Sequence, residues 1–367
     1  MDYLAKWDRD RYLSLIGKGP KRIPHVENLS CPDGETYLTG IDYYEHPRLC
    51  RIKLADLYPE LALPIPETDD PIPRPEYMQS SVIHDERGRH TRWGAGLTDT
   101  WDHGTRFQTV EDVFAFSPLE QGDLTGFVSS GGRDYRDEEK IYQDFRKDYP
   151  AEWGDKAPEG SPDHHGIYST MFMWPLLMFG WELFLETCLD PRFERIMDEF
   201  AEINRRAFRA MARLPVNFVQ CHDDIVTSRG PVCSPEWMHK YIFPRYEEFW
   251  GILKAAGKKA YFQSDGCVDA YVDDVMACGA IGFFTEPYTD FKAITRKYEN
   301  CFLIGEGDNR VLSRNNPIEI RAMVESMAET GRMSGGYVMG VGNHIPWNTP
   351  PEALKLYLDL SRELAFR

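Results

Sequence analysis

From about residue 164 onward the chain alternates short apolar runs with longer segments of helical spacing. The runs read GIYST, VNFVQC, KAYFQS, AIGFFTE, CFLIGEG and GYVMGVG. They are aromatic or β-branched and bounded by glycine or polar residues, the mark of buried strands. Ser234-Pro235 predicts an N-cap followed by proline in the first helical turn. The final segment, Pro351 to Arg367, places Leu354, Tyr357, Leu358 and Leu364 on one helical stripe. Strand–helix alternation of this kind predicts parallel strands, in a barrel or an open sheet. The strands expected are Val216–Cys221, Lys259–Gln263, Ile281–Thr285, Phe302–Gly305 and Tyr337–Val341. Residues 1–160 are less regular. Proline clusters such as PIPETDDPIPRP and the charged stretch IHDERGRHTRWG read as loops and short elements. Weaker strand signals lie near Arg22–Val26 and Leu61–Ile65.

Two features favour the barrel. No GxGxxG or P-loop follows any strand, so the usual nucleotide signature of open sheets is missing. Successive strands also end in chemically capable groups, and TIM barrels gather their active sites at such ends. These read His222-Asp223-Asp224, Gln263-Ser264-Asp265, Glu286, Glu306-Gly307-Asp308 and Asn343-His344. The fold expected is therefore α/β, a (β/α)8 TIM barrel with N-terminal helical and loop additions, as a single domain over residues 1–367.

Converging strand ends would crowd carboxylates together and raise some of their pKa values unless a cation sits among them. The set is thus a metal site, an acid/base site or a hydrogen-bonded polar rim. His222 is an acid/base group or ligand, or a loop histidine bonded to Asp223 or Asp224. Asp224 and Asp308 are equally good helix caps. Trp93, Trp101, His103 and Phe107 either roof an apolar pocket or pack the core of the N-terminal additions.

Charge and composition narrow the partners. The formal net charge of −17 argues against nucleic acid and anionic membrane, which demand a basic face. The longest apolar stretch, Met171 to Leu185, is broken by Pro175, Gly180 and Glu182, so a buried helix is expected there rather than a span. The N-terminal residues alternate charged and apolar side chains and do not resemble a secretory signal, so a cytoplasmic protein is expected. Eight cysteines form no CxxC pair, and reduced thiols are expected.

Several motifs together resemble the uroporphyrinogen decarboxylase superfamily. The segment HDDIVTSRGPVCSPEWMHKYIFPRYEEFWGILKAAGKKAYFQSDG matches its double-aspartate strand end, Gly-Pro step, Ser-Pro helix start and Gly-Lys-Lys strand entry. GAIGFFTEPYTDFKAITRKYENCFLIGEGDNRVL resembles the following strand with its Glu-Pro, then a Gly-x-x-Asp turn. GGYVMGVGNHIPWNTPPEALKLY is similar to the C-terminal strand and last helix. The likeness is collinear from Thr39 onward and implies the barrel fold.

Within that superfamily, true porphyrinogen decarboxylases carry an Arg-rich N-terminal motif that grips substrate carboxylates. Here Arg22, Arg48 and Arg51 are scattered, which counts against an octacarboxylate substrate. Asp70, with Asp69, falls near the decarboxylases' pocket aspartate. The other branch moves methyl groups between a small compound and a corrinoid carried on a partner protein. Its thiol-using members hold zinc through a His-x-Cys pair and a later Cys, and here Gln263, Asp265 and Asn343 stand in those places. The resemblance implies a methyltransferase acting on a small methylated compound, including a methoxylated aromatic, with a corrinoid-binding protein as partner. Its expected acid/base groups are His222, Asp224, Asp265 and Glu286. Asp70, Trp93, Gln263 and Asn343 are expected to touch substrate, and Asp265, Glu306 and His344 to hold zinc or another divalent ion. Decarboxylation of a small carboxylic acid or a uroporphyrinogen-like compound is the competing activity. A non-catalytic binding barrel is the third reading.

Overall fold

The computed structural model describes residues 2–61, 63–72, 74, 81–84, 90–94, 98–102, 107–120, 137–168 and 170–367, with the side chains of 2–7, 81–102 and 168 left aside. The strands are β1 (Ser81–His84), β2 (His90–Gly94), β3 (Thr98–Asp102), β4 (His164–Tyr168), β5 (Phe218–His222), β6 (Val226–Thr227), β7 (Gly230–Pro231), β8 (Lys259–Ser264), β9 (Gly282–Thr285) and β10 (Phe302–Ile304). β4, β5, β8, β9 and β10 form one parallel sheet in the order β10-β9-β8-β5-β4. Beyond β10, Leu303 bridges Tyr337 in parallel and Met339 bridges His25, so the chain near residues 337–341 and 23–26 continues the curve. Helices alternate with these staves, giving the architecture of a (β/α)8 barrel.

The predicted strands fall where expected, shifted by a residue or two. Tyr337–Val341 and Arg22–Val26 take part through single bridges rather than continuous ladders. Leu61–Ile65 does not form a strand among the described residues. Pro59–Leu61 is a turn of 3-10 helix, and Pro64 and Pro66 lack the N–H groups a ladder needs. The short elements expected before residue 160 include β1, β2 and β3, which build an antiparallel meander.

Alternation along the staves sorts two cores. Val219, Cys221, Ala260, Phe262 and Phe283 point outward into the large cluster shared with the helices. Phe218, Tyr261, Phe302, Ile304 and Val338 point inward and pack against Leu15, Tyr12 and Ile16. The N-terminal helix Asp2–Leu15 thus plugs the barrel with its last turn, Tyr12 meeting Phe218 edge-on with centroids 6.0 Å apart. That apolar plug fixes the other end as the open one. Ser234 caps helix Pro235–Tyr241 by accepting from the Trp237 N–H, as its Ser-Pro start predicts. Helix Met173–Thr187 is interrupted at Gly180 (φ 78°), and no helix of the described residues is long and apolar enough to cross a membrane.

Candidate active site at the strand ends

The inward face of β5 carries Phe218, Gln220 and His222, and the period of two brings Asp224 to the same side. His222 Nε2 lies 2.9 Å from Asp224 Oδ1. The same oxygen accepts the Asp265 backbone N–H at 2.7 Å, which ties the end of β5 to the end of β8. Gly266 N–H donates to Glu286 Oε2 at 2.8 Å, tying β8 to β9. Asn343 Nδ2 donates to Asp265 Oδ2 at 3.3 Å across the mouth. Four strand ends therefore deliver one contiguous cluster: His222, Asp224, Asp265, Glu286 and Asn343.

Asp265 is the electrostatic centre of this cluster. Burial, then the neighbouring carboxylates of Asp224 and Glu286, push its pKa up to about 7, with His222 pulling the other way. Burial also raises Glu286, opposed by the Gly266 N–H. A carboxyl poised near neutrality can hold a proton and deliver it.

Asp223, one residue from Asp224, does different work. It is fully buried and faces outward, where it accepts from Thr170 Oγ1 (2.7 Å), Met171 N (2.9 Å), Phe172 N (2.8 Å), Met173 N (2.7 Å) and Tyr246 Oη (2.7 Å). It pins the start of helix Met173–Thr187 to β5. Asp308 caps a helix, accepting from Arg310 N at 2.8 Å, and pairs with the Arg310 guanidinium. Asp224 serves the mouth instead of capping a helix.

The expected trio of Asp265, Glu306 and His344 does not assemble. Glu306 faces away from the mouth, its Oε1 accepting from Ser326 Oγ (3.3 Å) and Thr330 Oγ1 (3.1 Å) on helix Pro317–Met333. The cause is Gly305, whose φ of 113° breaks the alternation one residue earlier. A Cβ there would lie 1.8 Å from the Thr285 carbonyl oxygen, so glycine is required. His344 sits one residue outside the cluster, with its Nδ1 2.9 Å from Asn343 Oδ1. Among the described residues, the group that does come within metal-sharing distance is His222, Asp224 and Asp265, whose ligand atoms lie within 4.8 Å of one another.

Gln263 is on the inward face, one layer below Asp265, where it accepts from Gln220 Nε2. Gln220 Oε1 accepts in turn from Tyr261 Oη at 3.1 Å. Gln220 and Tyr261 were missed by sequence reasoning, though each sits two residues before a predicted site residue. Asp70 is exposed, and among the described residues no contact joins it to the cluster; its neighbour Asp69 accepts the Leu49 N–H at the start of helix Pro47–Leu57. Trp93 and Trp101 lie in β2 and β3, but their side chains, like all of His103, lie outside the described residues. Phe107 is buried against Phe116 and Phe179, in the core rather than over the mouth.

Residues 186–364 match the family model described as uroporphyrinogen decarboxylase (URO-D), and this span contains every member of the mouth cluster. No curated protein matches the chain in sequence. Among solved structures, a methyltransferase from Methanosarcina mazei is similar in fold, with a TM-score of 0.59 and 16% identity. The match covers 97% of this chain and 98% of that one. Over residues 186–364 the chain thus resembles the uroporphyrinogen decarboxylase family, and its fold is similar to that of a methyltransferase.

Proposed function

We propose that this protein moves a methyl group from a small methylated compound, such as a methoxylated aromatic, to a corrinoid carried by a partner protein. The observation that carries the reading is Asp265, a carboxyl held near neutral pKa by burial and by two other carboxylates at the barrel mouth. Losing a methyl group from an ether leaves an alkoxide or phenolate. A proton from Asp265 neutralises that oxygen as the O–CH3 bond breaks, and the product leaves as the alcohol or phenol. The corrinoid, when bound, supplies the nucleophile that takes the methyl group. Asp224 holds the Asp265 backbone in place, and Asn343 orients its carboxyl.

The mouth also fits a divalent ion. The soft thiolate set of the thiol-using relatives is absent, and one imidazole with two carboxylates within 4.8 Å suits a harder ion with open positions. With Asp265 ionised, His222, Asp224 and Asp265 would hold it, and it would supply Lewis-acid stabilisation of the leaving oxygen in place of the Asp265 proton. Replacing His222 or Asp224 with Ala is expected to weaken zinc or manganese binding at least about tenfold, measured by calorimetry. Unchanged affinity in both variants would remove the metal.

Decarboxylation of uroporphyrinogen fits poorly, because the cluster presents carboxylates to an octacarboxylate. Arg310, the cation nearest Glu286 in its electrostatics, is already bound to Asp308 through two hydrogen-bonding nitrogens and stacked 4.4 Å over Tyr288. The test pairs two anaerobic assays, methyl transfer to cob(I)alamin from a panel of methoxylated aromatics and coproporphyrinogen formation. Activity in the first and none in the second is expected; the reverse would overturn the proposal. In the same assay Glu306→Gln is expected to stay within about threefold of wild type, since Glu306 faces a helix. A larger loss would return it to the site.

A further inference from the structure

The last strand end carries an amide–imidazole pair whose protons can be assigned from chemistry alone. Asn343 Oδ1 lies 2.8 Å from the His344 backbone nitrogen, which can only donate. At its other end Asn343 Nδ2 donates to Asp265 Oδ2 at 3.3 Å. Flipping the amide would set its NH2 group against the His344 backbone N–H, donor to donor, so the orientation is fixed from that end. His344 Nδ1, 2.9 Å from the same Oδ1, must then carry the ring proton. Burial lowers the His344 pKa, keeping the ring neutral, so Nε2 holds a lone pair and no proton. Among the described residues no group bonds Nε2. The loop itself is held by Asn309 Nδ2, which donates to the His344 carbonyl at 2.9 Å.

A fixed acceptor two hydrogen bonds from Asp265 discriminates between ligands. A site built to take a hydrogen bond favours a ligand that supplies it and rejects an isostere that cannot. We propose that His344 Nε2 is a specificity-determining acceptor, locked by Asn343, and that the methyl donor carries an O–H or N–H group near its methylated atom. This inference rests on the reading of the mouth as the donor-binding site.

Two measurements on the full chain test it, neither requiring turnover. Nitrogen-15 spectra of histidine-labelled protein are expected to show His344 in its Nδ1–H form, and Asn343→Ala to release it to the Nε2–H form. An Nε2–H imidazole in the wild type would overturn the lock. Calorimetry then compares 2-methoxyphenol with methoxybenzene, without corrinoid. Wild type is expected to prefer the phenol at least about fivefold, an ordinary value for one hydrogen bond. His344→Phe should bind the two alike, and His344→Gln, which retains an acceptor oxygen, should regain part of the preference. Equal affinities in wild type, or no binding of either probe, would refute the recognition. Selective binding without methyl transfer would instead refute the proposed reaction and leave the recognition standing.

Discussion

Asp265→Asn is expected to lower methyl transfer by about 10²–10⁴-fold, the usual contribution of a positioned acid, while stabilising the metal-free fold above neutral pH. The two effects share one cause. Asp265 has a folded pKa of about 7 against an ordinary value of 3.8, so the folded protein binds this proton more tightly than the unfolded chain. Stability from that proton is fully present at low pH and is lost as pH rises through about 7, because ionising the buried carboxyl beside Asp224 and Glu286 is costly. Asn carries no such charge. At pH 8 its melting transition should therefore exceed wild type, by about 1–3 kcal/mol after allowing for partial exposure. Turnover should follow the protonated form and fall above about pH 7 in wild type, a limb that disappears with Asn. Calorimetric melts and pH–rate profiles on the same two proteins read both effects. Equal stability at pH 8 together with equal turnover would contradict the assignment.

Asp223→Ala is expected to cost about 3–5 kcal/mol of folding stability. Five donors converge on this carboxylate, three of them backbone N–H groups at Met171, Phe172 and Met173. Removing it strands those donors in a site that water does not reach, and each buried unpaired group is expensive. Tyr246→Phe removes one donor and should cost only about 1–2 kcal/mol. Urea unfolding followed by circular dichroism measures both. A loss below about 1 kcal/mol for the alanine variant would mean that the start of helix Met173–Thr187 is held by packing alone.

Much of this arrangement was legible in the sequence, because parallel strands buried on both sides leave short apolar runs with polar ends. The runs at β5, β8, β9 and β10 were read to within two residues. His222, Asp224, Asp265, Glu286 and Asn343 were all named as strand-end groups, and the structure brings them together. What sequence could not supply was the facing of residues after a break in the strand. Glu306 looks equivalent to Asp265 by position, yet the left-handed Gly305 turns it outward. Asp223 and Asp224 are identical in type and adjacent, and only the strand's alternation makes one a structural anchor and the other a mouth residue. Leu61–Ile65 shows the opposite failure, where apolar residues suggested a strand but alternating prolines denied it a ladder. Two of the three residues in the neutral layer, Gln220 and Tyr261 beside Gln263, were missed, because amides and phenols inside a barrel leave no charge signature in the chain.

The claim that this barrel transfers methyl groups is tested most directly by following a labelled methyl group. Purified protein, a carbon-13 methoxy-labelled aromatic and cob(I)alamin are incubated without oxygen, and the label is located by NMR. The expected result is label on the corrinoid and an equal amount of free phenol, both reduced by at least about 10²-fold in Asp265→Asn. Label remaining wholly on the aromatic across the donor panel, with cob(I)alamin intact, would contradict the account.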